Sequence, residues 1–103
     1  MANFSLQIIS PEGNLFEGTA DAVYATGVEG EFGVLANHVP MIAALRPGRL
    51  GVLDAGSVQN YAASEGTLEV RLDGRVVLLV DYAEPFDSET EARSKAKELL
   101  DLL

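Results

Sequence analysis

The chain has 103 residues, 48% of them hydrophobic and 22% charged, with no cysteine, no tryptophan and a single histidine. That length suits one domain with a modest core, and the missing cysteine removes disulfides, thiolate metal sites and cysteine nucleophiles. Sixteen acids against seven bases leave a net charge of −9, which repels phosphate backbones and anionic headgroups and argues against nucleic-acid binding and electrostatic membrane docking.

The charge is also uneven. Residues 1–45 hold five acids (Glu12, Glu17, Asp21, Glu29, Glu31) and no Lys or Arg, so a basic partner is the natural complement. The longest apolar runs, Met41–Leu45 and Val76–Val80, are five residues each, against the roughly 20 that cross a bilayer. Residues 1–5 lack the basic stretch and apolar core of a secretory signal, and none is expected.

Before Pro85 the chain reads as all-β. Phe4, Leu6 and Ile8 alternate with Ser5, Gln7 and Ile9, the period of a half-buried strand. Pro11-Glu12-Gly13-Asn14 is a turn, after which Leu15-Phe16 starts a return segment. Val23 and Ala25 mark another strand by alternating with Tyr24 and Thr26. Residues 49–54 and 58–63 flank Ala55-Gly56-Ser57 as a hairpin. Asp73-Gly74 separates Leu68, Val70 and Leu72 from the run 76–80, a pattern that predicts a tight type I′ turn. Val76-Val77-Leu78-Leu79-Val80 is apolar on both faces and predicts a central strand covered on both sides. Turns every 8–12 residues point to a β-sandwich or barrel over residues 1–86.

Residues 87–103 contain no Gly or Pro and predict one helix. Ser88 caps it, Glu91 completes a capping box, and Glu89 and Glu91 lie in the acid-favouring first turn. Glu89/Arg93 and Glu91/Lys95 are i,i+4 pairs in the favourable orientation. Ala92, Ala96, Leu99, Leu100 and Leu103 form one apolar stripe, which at this length needs something to lie on.

No chemistry emerges from the residues themselves. Glycine recurs every third position across residues 27–33, but two glutamates and no lysine stand there, so a phosphate would be repelled. His38 is the one imidazole and is expected to be a loop residue satisfied by a backbone carbonyl. Ser57 and Ser64 lack a G-x-S-x-G elbow. Glu65 and Glu69, near Arg71, are expected on a solvated strand face.

The same loop carries a different signature. Gly30-Glu31-Phe32-Gly33-Val34-Leu35-Ala36-Asn37-His38-Val39-Pro40 resembles a segment that typically reads Gly-Glu-Phe-Gly-Val-Leu-Pro-Gly-His-Ala-Pro in the epsilon subunit of bacterial F-type ATP synthases. Residues 6–18, Leu-Gln-Ile-Ile-Ser-Pro-Glu-Gly-Asn-Leu-Phe-Glu-Gly, resemble that family's opening strand, turn and Leu-Phe-x-Gly. Residues 45–50 (Leu-Arg-Pro-Gly-Arg-Leu), 66–70 (Gly-Thr-Leu-Glu-Val) and 81–84 (Asp-Tyr-Ala-Glu) are similar to further family segments in the same order. The likeness covers about residues 4–86.

The resemblance implies a ten-stranded β-sandwich followed by a helical hairpin, and a non-catalytic place in the rotor stalk on the cytoplasmic face of the bacterial inner membrane. There it would clamp the gamma subunit to the ring of c subunits and couple proton flow to ATP synthesis in the alpha/beta head, with no cofactor. Carried over, Glu31, His38 and Pro40 would face the polar loops of the c ring, with Glu31 meeting an arginine. Phe32 and Val34 would pack in the core.

Three departures stand out. Ala36-Asn37 replaces Pro-Gly, and Asn tolerates positive φ. Glu65 replaces a glycine. The chain stops at Leu103 after one helix, so inhibition by an extended hairpin is expected to be absent or much weakened. The ATP-binding pattern of some members, Ile/Leu-Asp-x-x-Arg-Ala, meets Phe86-Asp87 but puts Thr90 in place of Arg, so no ATP binding is expected. The rival readings are a free-standing sandwich that binds a small molecule or sugar, and a cupin-like metalloenzyme, which one histidine all but removes.

Overall fold

The computed structural model describes residues 2–102. The alternating segments become ten strands: β1 (Phe4–Ser10), β2 (Gly13–Ala20), β3 (Ala22–Gly27), β4 (Gly30–Leu35), β5 (Met41–Leu45), β6 (Gly48–Asp54), β7 (Ser57–Ala63), β8 (Gly66–Val70), β9 (Val76–Val80) and β10 (Ala83–Phe86). Helix α1 (Glu89–Asp101) follows. The strands bond in the order β10-β7-β6-β3-β5-β8-β9-β1-β2, with β4 added to β3. At β3–β5 the strip is held by one register pair, Gly27 with Leu45. The Val28 amide donates to Ala44 O (3.1 Å) and the Arg46 amide to Thr26 O (3.1 Å) beside it. The strip folds at this corner into two five-stranded layers, β4-β3-β6-β7-β10 and β5-β8-β9-β1-β2. Strands β1 and β9 run parallel.

The core fills the space between the layers. Leu6 and Ile8 from β1, Val23 from β3, Val34 from β4, Leu50 and Val52 from β6, Leu68 from β8 and Leu78 from β9 are all buried. Each such side chain contributes about 1.5–3 kcal/mol by leaving water. Val34 lies in the core as expected, and Phe32 packs against it while half-buried.

Strand β9 differs from expectation on one face. It is central, flanked by β8 and β1, but Leu79 points outward and is 51% exposed. Nothing among the described residues covers that face fully, so its two-sided apolarity does not reflect burial within this chain.

Two turns also exchange roles. Val70 pairs with Val76, and the Arg71 amide donates to Arg75 O (2.8 Å), leaving a three-residue loop in place of a type I′ turn. Only Gly74 there has positive φ (89°), the geometry of a type I turn closed by a left-handed residue. The Asp73 carboxylate instead accepts from the Arg75 amide (3.1 Å) and Nε (2.9 Å). The two-residue turn with both φ values positive is Ala55-Gly56 (51° and 83°), joining Asp54 to Ser57. Asn37 adopts φ 66°, the left-handed conformation expected of it.

Ser88 caps helix α1 as its sequence predicts, but Glu91 meets the Ser88 hydroxyl and not the backbone amide that a capping box would bond. Ser88 Oγ accepts from the Glu91 amide (3.1 Å), and its hydroxyl donates to the Glu91 carboxylate (3.1 Å). That orientation takes Glu91 away from Lys95, which pairs with Glu98 instead (3.8 Å). The helix lies on β6 and β7 and buries Ala92 and Ala96. Leu99 is half-buried and Leu100 exposed; Leu103 lies outside the described residues.

Candidate functional surfaces

Glu31 is the second residue of β4, next to Gly30, which pairs with Gly27 across the two-residue Val28-Glu29 link. Both its carboxylate oxygens are taken by Arg93 of α1, from Nη1 at 2.8 Å and Nη2 at 2.9 Å. Arg93 also donates through Nε to Glu89 (2.7 Å). Glu89 in turn meets Arg49 Nη2 at 3.6 Å. The Arg49 side chain is only 11% exposed. Its Nε donates to Asn60 Oδ1 (3.0 Å), and its guanidinium lies 5.9 Å from the centre of the Tyr24 ring. A line of charges thus runs from the start of β4, across the first turns of α1, to β7. Hydrogen bonding by Arg93 holds both the Glu31 and the Glu89 carboxyls below their ordinary value of 4.5.

His38 and Pro40 lie beyond the other end of β4. Four strand rises take the chain from Glu31 to Leu35, roughly 13 Å, and it then turns, with the His38 amide donating to Leu35 O (3.3 Å). His38 is half-buried, and its Nδ1 lies 2.8 Å from Val39 O, the backbone partner expected of it. The structure therefore puts His38 and Pro40 together but Glu31 apart from them. Around Pro40 stand Val39, Ile42 and Leu72, which are 69%, 74% and 93% exposed.

The outer face of the second layer carries apolar side chains as well. Ile9, Ile42, Thr67, Val77 and Leu79, together with Gln7 and the Glu69–Arg71 ion pair, line a groove of about 230 Å³. Register explains why they meet: Ile9 stands opposite Leu79, Leu79 opposite Thr67, and Ile42 opposite Glu69. A face of this kind, continuous with the exposed residues near Pro40, is what a protein partner covers. Sequence reading did not single it out, although the doublets Ile8-Ile9 and Leu78-Leu79, which put an apolar side chain on each side of the sheet, were its signal.

Among the described residues, no group of three or more His, Asp or Glu is placed to hold a metal ion, and no buried side-chain polar atom lacks a partner. No helix among the described residues is long and apolar enough to cross a membrane. What the arrangement offers is one charged tip and one apolar face.

Residues 3–86 match the model of the ATP synthase delta/epsilon chain beta-sandwich domain. The ATP synthase epsilon chain of Rhodopseudomonas palustris (strain BisA53) is 45% identical over 78 residues, which are 76% of this chain and 58% of that one. The ATP synthase epsilon chain of Shouchella clausii is 38% identical over 99 residues, 95% of this chain and 74% of that one. Thus the chain spans little more than half the length of some relatives. Among solved structures, a chain of the Euglena gracilis mitochondrial ATP synthase (OSCP/F1/c-ring) superposes with a TM-score of 0.78 at 29% identity, covering 95% of this chain and 63% of that one. A chain from the central stalk/c-ring of the Tetrahymena thermophila mitochondrial ATP synthase shares the fold, with a TM-score of 0.70 at 14% identity over 96% and 92% of the two chains. With the sandwich matched along nearly all of its ten strands, the chain belongs to the delta/epsilon family of ATP synthase subunits.

Proposed function

We propose that this chain is a non-catalytic rotor-stalk subunit of a proton-translocating F-type ATP synthase, joining the gamma subunit to the c ring so that proton flow drives ATP synthesis. The observation that carries this reading is the uncovered apolar face built from Ile9, Ile42 and Leu79 on the second layer. Such a face serves association rather than turnover. Family membership and the likeness to the Euglena chain support the assignment of partner. The subunit would sit peripherally, on the cytoplasmic face of the bacterial plasma membrane.

In this reading the apolar face receives gamma, and Glu31, His38 and Pro40 mark a c-ring footprint that follows β4. The sandwich at 1–86 carries both contacts, with 87–103 as an appendage on it. Detergent-solubilised membranes are the test. Co-purification with gamma, the c ring and the catalytic head is the expected result, and a free monomer in every fraction overturns it. Glu31→Lys and His38→Ala are each expected to weaken ring binding. Loss with Glu31→Lys alone confines the footprint to the β3–β4 turn.

A further inference from the structure

Helix α1 has a slight apolar hold on the sandwich. Its fully buried side chains are two alanines, Ala92 and Ala96, each offering one methyl group. The fastening that reaches furthest is ionic: Glu31, 62 positions away in the chain, grips Arg93 through two hydrogen bonds. The remaining fastenings hold one another. Glu89 serves both Arg93 and Arg49, and Arg49 is anchored on Asn60 of β7.

This wiring is asymmetric. If Glu31 turned away, Arg93 would keep its bond to Glu89 at 2.7 Å and would not be left without a partner. The carboxylate is itself half-exposed at the sandwich tip, with its side chain 51% accessible, so an outside cation can reach it. Each of its oxygens already accepts from Arg93, and an outside guanidinium that binds in the same two-point manner must displace that one. The exchange is close to even, because one exposed charge pair replaces another.

We propose that Glu31 is a shared latch: it holds α1 against β6 and β7 while free, and it passes to a guanidinium of the docking partner when the β3–β4 turn is engaged, which loosens the helix. The partner half of this proposal rests on the reading given under Proposed function.

The test follows hydrogen exchange in the full-length chain, residue by residue. For the latch, Glu31→Gln is expected to raise exchange across α1 about fivefold with the β1 and β9 amides unchanged. In an Arg93→Gln background, where the latch has no partner, adding Glu31→Gln is expected to leave α1 exchange unchanged. Unaltered α1 exchange in Glu31→Gln overturns the latch, as does an equal rise on adding Glu31→Gln to Arg93→Gln while the sandwich stays protected. For the transfer, the wild-type chain is titrated with detergent-purified c ring. Binding with faster α1 exchange supports it, and binding with α1 still fully protected overturns it. If the ring does not bind at all, the docking reading and the transfer fall together, and the first arm still decides whether the latch exists.

Discussion

Gly66 lies against the backbone of Leu79, the neighbour of its register partner Val80 across the β8–β9 ladder, at a distance that admits no side chain. A Cβ built on Gly66 would lie 1.9 Å from the carbonyl oxygen of Leu79. The obstacle is backbone in a central strand, so it cannot swing aside as a flexible side chain would. Gly66→Ala is therefore expected to destabilise the chain by about 3 kcal/mol, at the upper end of the usual cost of overpacking. Chemical denaturation checks this, and a loss under 1 kcal/mol contradicts it.

Ala55 presents the opposite case. It holds φ at 51° in the β6–β7 turn without being glycine, a conformation that crowds Cβ against the following carbonyl. Ala55→Gly is expected to stabilise the chain by about 1 kcal/mol. A rise in the thermal midpoint of the single variant tests this without affecting either proposed docking surface.

The pH dependence of α1 attachment follows from two carboxylates. Glu31 and Glu89 titrate below 4.5 in the folded chain because Arg93 bonds to their charged forms. A depressed folded value means the stabilisation is fully present above 4.5 and disappears as pH falls through the folded value. Exchange of α1 amides is thus expected to be flat from pH 7 to about 5, after correction for intrinsic rates, and to accelerate below that. Glu31→Gln should flatten the acid limb; a limb of unchanged steepness would point to other groups.

On the apolar face, fold and docking separate cleanly. Ile42 is 74% exposed and stands opposite Glu69, so Ile42→Lys, which faces an opposite charge, should alter folding stability by no more than about 0.5 kcal/mol. Placing a charge in a dry interface is expected to weaken association at least tenfold, roughly 1.4 kcal/mol. Equal losses in stability and binding would instead make Ile42 a folding residue.

Much of this architecture is legible in the residues because its causes are local. Phe4, Leu6 and Ile8 show their strand by alternation, and Ser88 with Glu91 shows the helix start by a spacing of three. Expectations fail where the cause is distant. Leu79 is apolar and looks like core, but the β9 register turns it to the outer face, where it is 51% exposed. Asp73-Gly74 locates a turn, but the Val70–Val76 register decides its type. Lys95 loses Glu91 because the cap competes for that carboxylate. No spacing rule links Glu31 to Arg93, since only the packing of α1 on the first layer brings 62 positions of separation down to 2.8 Å.

The parallel pairing of β1 with β9 has a consequence for how the chain is made. Leu6 hydrogen-bonds in register with Val76, 70 positions later. The opening strand can form its hairpin with β2 as soon as both leave the ribosome, but its second neighbour emerges only about 70 residues later. Closing so long a loop is entropically slow. The nascent segment must therefore wait with one edge of β1 bare, and chaperone capture in that interval competes with closure of the sandwich.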